Sequence, residues 1–276
     1  MTPKTPMDWY KTQLDGDATA RDASNELLGP ELHAFADAMA SLTNCLEYAV
    51  AGGEEELDEK YKIAIAVHGF NHLCSAWDDA LTGRFEAAWS QGRKISESHD
   101  FLVALVGRPG LAADIENGKV KVEAALRATR DFLNEQRGGT GSDWFAERAS
   151  SRNPMHDFAH LTSFAVKSGW ATRVEQGKLH GYLRPGGVTT TNSLRKTAIV
   201  LAATANAFLW AVVYAFQDND GIRSFWQSGG EAKLDTHLEE LRGELTQLTD
   251  ERRALDALTV QSGWSRDDKT QTEGMR

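Results

Sequence analysis

Apolar positions along this chain recur at intervals of three and four for most of its length, the spacing of helices that bury one side. Ile63, Val67, Phe70, Cys74 and Trp77 give the pattern in its clearest form. Alternation at every second position is nearly absent. The pattern therefore predicts an all-α fold, a bundle of about eight to ten helices. Gly29-Pro30 opens one helix, with proline at the first helical position, and Gly52-Gly53 ends it after about Ala51. Glu54-Glu55-Glu56 suits the start of the next, because a helix N-terminus favours negative charge; that helix runs to about Leu81. Further helices are predicted over 84–106, 110–117, 119–136, 143–151, 154–167, 170–179, 192–217, 219–227 and 231–260. Residues 1–25 lack periodicity and read as a flexible arm. The bundle then occupies 26–230 and a separate amphipathic, coiled-coil-like helix 231–260, while 261–276, apolar only at Trp264, reads as a disordered tail.

The stretch Ala198–Phe216 holds 19 residues without a charge. That is nearly the length of a membrane span, and equally the length of a helix at the centre of a large core. Alanines, Thr204, Asn206 and Tyr214 dilute the run, Thr189 to Ser193 offer N-caps before it, and Gln217 to Gly221 supply polar breakers after it. The composition favours a central core helix over 192–217. A single-span membrane protein is the alternative.

The C-terminal helix carries its own signal. Leu234, Leu238, Leu241, Leu245, Leu248 and Leu255 alternate by four and three as in a coiled-coil seam, with Arg252 filling the one seam position that lacks leucine. Gly243 costs such a helix about 1 kcal/mol against alanine. Docking onto the protein's own bundle is therefore favoured over a parallel homodimer, and 231–260 is the segment expected to meet any protein partner.

With 276 residues and 41% hydrophobic side chains, the chain can bury a substantial core unaided. Cys45 and Cys74 fall in apolar helical patterns and read as small buried hydrophobes, not a disulfide. The polar N-terminus does not resemble a secretory signal, and a cytoplasmic location with no membrane is expected. A net charge of −10, without any block of lysine and arginine, disfavours long-range attraction of nucleic acid. No phosphate-binding loop, dinucleotide fingerprint, serine elbow or paired-cysteine zinc knuckle is present, and no cofactor is predicted.

Two segments share the pattern H-x-F-x-H-L-x-S: His68 to Ser75 and His156 to Ser163. Each places two histidines on one helix face, so His68, His72, His156 and His160 could together offer four imidazoles to a metal such as zinc. The alternative is that both helices bury the phenylalanine and leucine and leave histidine at the core's edge. Neither segment has the glutamate of a zinc-protease helix.

Gly83-Arg84-Phe85-Glu86-Ala87-Ala88-Trp89, then Gly92-Arg93-Lys94-Ile95-Ser96-Glu97-Ser98-His99-Asp100-Phe101, Pro109-Gly110-Leu111-Ala112 and Asn153 to Ser163 resemble bacterial all-helical families of unknown function. Some of these are grouped with the HEPN proteins, which include toxin ribonucleases and abortive-infection proteins. The resemblance covers about residues 55–215. It implies Arg93, Glu97 and His160 as the matched polar positions, and a stress or phage-response setting. Arg93 and Glu97, at i and i+4, share a helix face, where a histidine could be tuned by the carboxylate toward acid-base work on RNA; nucleic acid is a partner only on that reading. The same trio could equally satisfy a buried polar network. The chain departs from the HEPN ribonucleases, in which a histidine closely follows an arginine: here only Arg93 to His99 and Arg173 to His180 qualify. The function expected first is a helical protein acting through protein contacts, with the ribonuclease as its alternative.

Overall fold

The computed structural model describes residues 6–51, 56–125, 127, 129, 170–175, 178–183 and 191–261. Among them lie α1 (Pro6–Leu27), α2 (Pro30–Ala51), α3 (Leu57–Leu81), α4 (Phe85–Gly107) and α5 (Leu111–Glu116). A pair of strands, β1 (Trp170–Glu175) and β2 (Lys178–Leu183), precedes α6 (Thr191–Ala215), α7 (Asp220–Phe225), a π-type turn over Trp226–Gly230 and α8 (Glu231–Gln261). The fold is the all-α bundle that the periodicity predicts. The helices expected over 143–151 and 154–167, most of that over 119–136, and the tail beyond 261 lie outside the described residues.

The uncharged run forms the middle of α6, which packs against α2, α3, α4 and α8. Ala198, Leu201, Ala202, Ala205, Phe208 and Val212 are shut away from solvent. Small residues let neighbouring backbones come close, and Gly69 of α3 lies directly beneath the Phe208 ring. By length and hydropathy Leu194–Ala215 could also cross a membrane, and 67% of its most apolar stretch is buried in the bundle. α4 is enclosed on nearly every side, burying Ala88, Gly92, Ile95, Ser96, His99, Asp100, Leu102 and Val103.

Polar ties set how the helices sit. Glu31 is fully buried near the start of α2, where one oxygen accepts the Gly29 N–H at 3.0 Å and the other accepts from Arg195 Nε at 2.9 Å. Arg195 of α6 also reaches Glu244 of α8. A single guanidinium thus joins three helices. The leucine seam of α8 faces inward: Leu234, Leu241 and Leu248 are buried, and Leu241 and Leu248 belong to the main core. At the other end, the Asp58 carboxylate accepts from the N–H groups of Gly110 and Ala112 and so closes the start of α5.

Three expectations are corrected. The flexible arm over 1–25 is instead largely helix α1, anchored by polar contacts that hydrophobic periodicity does not register: Arg21 holds both oxygens of Asp78, Asp17 meets Arg84 at 3.0 Å, and the Ser24 hydroxyl donates to the Leu81 carbonyl at 2.8 Å. The helix expected over 170–179 is an antiparallel hairpin, with Trp170 opposite Leu183 and Glu175 opposite Lys178. Its strands carry Trp170, Thr172, Val174 and Tyr182, side chains suited to a pleated surface, and Gln176-Gly177 separates them in sequence. Cys74 is exposed, because Leu73, Ala76 and Trp77 take the inward positions of its turn; Cys45 is buried as expected, and both are free thiols.

Candidate functional site

The first histidine pair lies on the outer side of α3. Its motif divides by face: Gly69 and Leu73 point into the core, Phe70 packs against it, and His68 and His72 stand at its edge. The two Nε2 atoms are 3.0 Å apart and the rings meet edge to face. That contact requires one ring to donate and the other, unprotonated at Nε2, to accept. Partial burial lowers the His72 pKa, and the neighbouring His68 and the Lys94 charge lower it further, against an opposing pull from the nearby Gln91 carboxamide. His156 and His160, the other half of the proposed metal set, lie outside the described residues. Among the described residues no three metal-ligating side chains converge.

Arg93 and Glu97 do meet, with Nε to Oε1 at 2.9 Å, one turn apart on α4 and roughly one-third exposed. They form the pair that the i, i+4 spacing requires. Their proposed third member, His160, is outside the described residues.

One polar cluster escaped the sequence reading as a unit. His99 and Asp100 are adjacent on α4 and almost fully buried, with Nδ1 to Oδ1 at 3.2 Å. The imidazole lies over Trp210 of α6, which in turn stacks on Tyr214 at 5.2 Å between centroids. A carboxylate on Nδ1 fixes the ring's orientation and tautomer. Adjacent polar residues in a sequence normally mark a solvent face, and nothing in Ser98-His99-Asp100 signals that this part of α4 is buried.

A second feature is a cleft of about 220 Å³ where α2, α6, the π-type turn and α8 meet. Asp37 stands at its side, with Lys233 Nζ at 2.8 Å and His237 Nε2 at 3.4 Å from the same oxygen, Oδ2. Asn206 lines it from the uncharged run of α6, and Leu209 and Phe225 supply apolar wall. Gly229, at φ +120°, takes a backbone conformation open to glycine and leaves its side of the cleft unfilled. These residues come from four separate parts of the sequence. Only Asn206, a carboxamide inside an apolar run, gave any advance signal.

No protein-family model, no curated protein and no solved structure matches the chain.

Proposed function

We propose that this protein acts through protein contacts, associating with a second copy of itself through the outward face of α3. The observation that carries the reading is a gap in charge. From Ile63 to Trp77 the chain has no acidic or basic side chain other than histidine, yet Ala64, Val67, His68, Asn71, Cys74 and Ser75 are all exposed. The centres of protein interfaces are depleted in charge in this way. Two copies that each carry a net −10 repel least where neither presents acidic or basic charge, and the lowered His72 pKa favours the uncharged form of that ring. The cellular setting proposed with it, stress or phage response, rests on the family resemblance.

Sedimentation or light scattering across a concentration series tests the proposal. The wild type is expected to shift toward dimer at concentrations up to about 100 μM, a weak but specific range. Val67→Asp and Asn71→Glu place charge on the face and should leave monomer with an unchanged melting temperature. A wild type that stays monomeric throughout, or variants that still associate, would overturn it.

The ribonuclease alternative has one supporting observation, the Arg93–Glu97 ion pair at the matched positions. It requires RNA cleavage by purified protein that Arg93→Ala and His160→Ala each abolish without loss of folding. Intact RNA after prolonged incubation with wild type would dispose of it.

A further inference from the structure

We infer that the cleft between α2, α6 and α8 binds a small, neutral, amino-bearing heteroaromatic molecule of about nucleobase size. The argument begins with Asn206. This residue is 1% exposed, and both of its hydrogen bonds leave through Nδ2, to Ala202 O at 2.8 Å and Ala34 O at 3.3 Å. Two carbonyl acceptors on one side fix the amide, because the flipped form would set Oδ1 against two oxygens. Oδ1 is therefore the atom left for the cleft, and no donor among the described residues meets it. An acceptor that faces a cleft without a protein donor is met there by water or by a ligand.

Asp37 repeats the pattern at the side of the cleft. Lys233 and His237 both approach Oδ2, which leaves Oδ1 as a second acceptor. The site thus offers two acceptors and calls for a ligand with donors. Lys233 already balances the carboxylate, so an added ammonium would face an occupied anion and a nearby cation; a neutral amine meets no such repulsion. Between the polar groups, Leu209 and the Phe225 ring present apolar surface suited to a flat ring. The volume of about 220 Å³ equals roughly seven waters at ~30 Å³ each, which limits the occupant to one or two fused rings.

Adenine and purine make a discriminating pair of probes, since they share a ring system and only adenine carries the exocyclic amine. In ligand-observed NMR and calorimetry on the full chain, adenine is expected to bind at least about tenfold more tightly than purine, the loss of roughly one good hydrogen bond. Asn206→Leu removes the acceptor, and Ser41→Trp fills the cleft from the partly exposed lining position of α2. Both should abolish saturable adenine binding. Ser41→Trp leaves every hydrogen bond of Asn206 in place, so it decides the matter should Asn206→Leu fail to fold. Absence of adenine binding to the wild type at millimolar concentration, equal binding of purine, or undiminished binding by Ser41→Trp would each overturn the inference. None of these results depends on whether α3 mediates association.

Discussion

Replacing Gly69 with alanine puts the packing of α3 on α6 to a direct test. A Cβ at this position would lie 2.2 Å from Phe208 Cζ and 2.7 and 2.8 Å from the two Cε atoms. Carbon atoms prefer separations of roughly 3.5–4.0 Å, so three ring atoms are overlapped at once. The ring cannot swing aside, because Phe208 is 0% exposed and hemmed in by the core. Overpacking of this kind costs roughly 1–3 kcal/mol, occasionally more, whereas alanine gains a helix interior only about 1 kcal/mol over glycine. With three ring atoms overlapped the cost lies in the upper part of that range, so steric overlap should win, and a net loss of about 1–2 kcal/mol would lower the melting temperature by roughly 2–4 °C in a chain of this size. Thermal unfolding followed by circular dichroism is the assay. Phe208→Leu, destabilising alone, should be better tolerated in the Gly69→Ala background, with a coupling of at least about 1 kcal/mol. If Gly69→Ala is neutral or stabilising, or if the two costs simply add, the close approach of these helices is wrong.

Arg195→Met strands the fully buried Glu31 carboxylate and should cost about 3 kcal/mol in denaturant unfolding, part of which Glu31→Gln restores in the double variant; a loss below about 1 kcal/mol would show that the three-helix tie is dispensable. The lowered His72 pKa means that the unfolded chain takes up protons before the folded one does. Stability should therefore be fully present above the ordinary imidazole value of 6.5, fall as pH drops below it, and level off beneath the folded value; His72→Gln should flatten that limb in melts run between about pH 5 and 8. For Asp78 the sign is the same at lower pH: the hydrogen bond from Arg21 lowers its pKa, so its contribution is present above 3.8 and disappears as pH falls through the folded value, a loss that Asp78→Asn should mimic at neutral pH. Asn219 caps α7 by accepting from the N–H groups of Gly221 and Ile222, and Asn219→Ala should cost about 1 kcal/mol with no change in the cooperativity of unfolding.

How much of this was legible in the sequence depends on which force positions each element. α6 and the inward leucines of α8 are held by apolar burial, which leaves a periodic trace, and their extents were read to within a few residues. α1 is anchored by Arg21, Ser24 and Asp17, whose partners are contributed by α3 and by Arg84 just ahead of α4, so no local pattern betrays it. The hairpin over 170–183 is too short for a two-residue period to stand out against neighbouring helices. The same division separates the candidate sites. Arg93 and Glu97 lie one turn apart on a single helix and could be paired from spacing alone, but Asp37, Asn206, Lys233 and His237 are brought together only when α2, α6 and α8 dock. Asn206 marks where the two kinds of information meet. A carboxamide in the middle of an apolar helix has to find partners inside the core, and its amide nitrogen finds them in the backbone carbonyls of Ala34 and Ala202. Those bonds would be made as well by any donor of similar shape. The feature that packing does not account for is the oxygen turned toward the cleft, and this is why the cleft, more than any titratable cluster nearby, is where a ligand should be sought first.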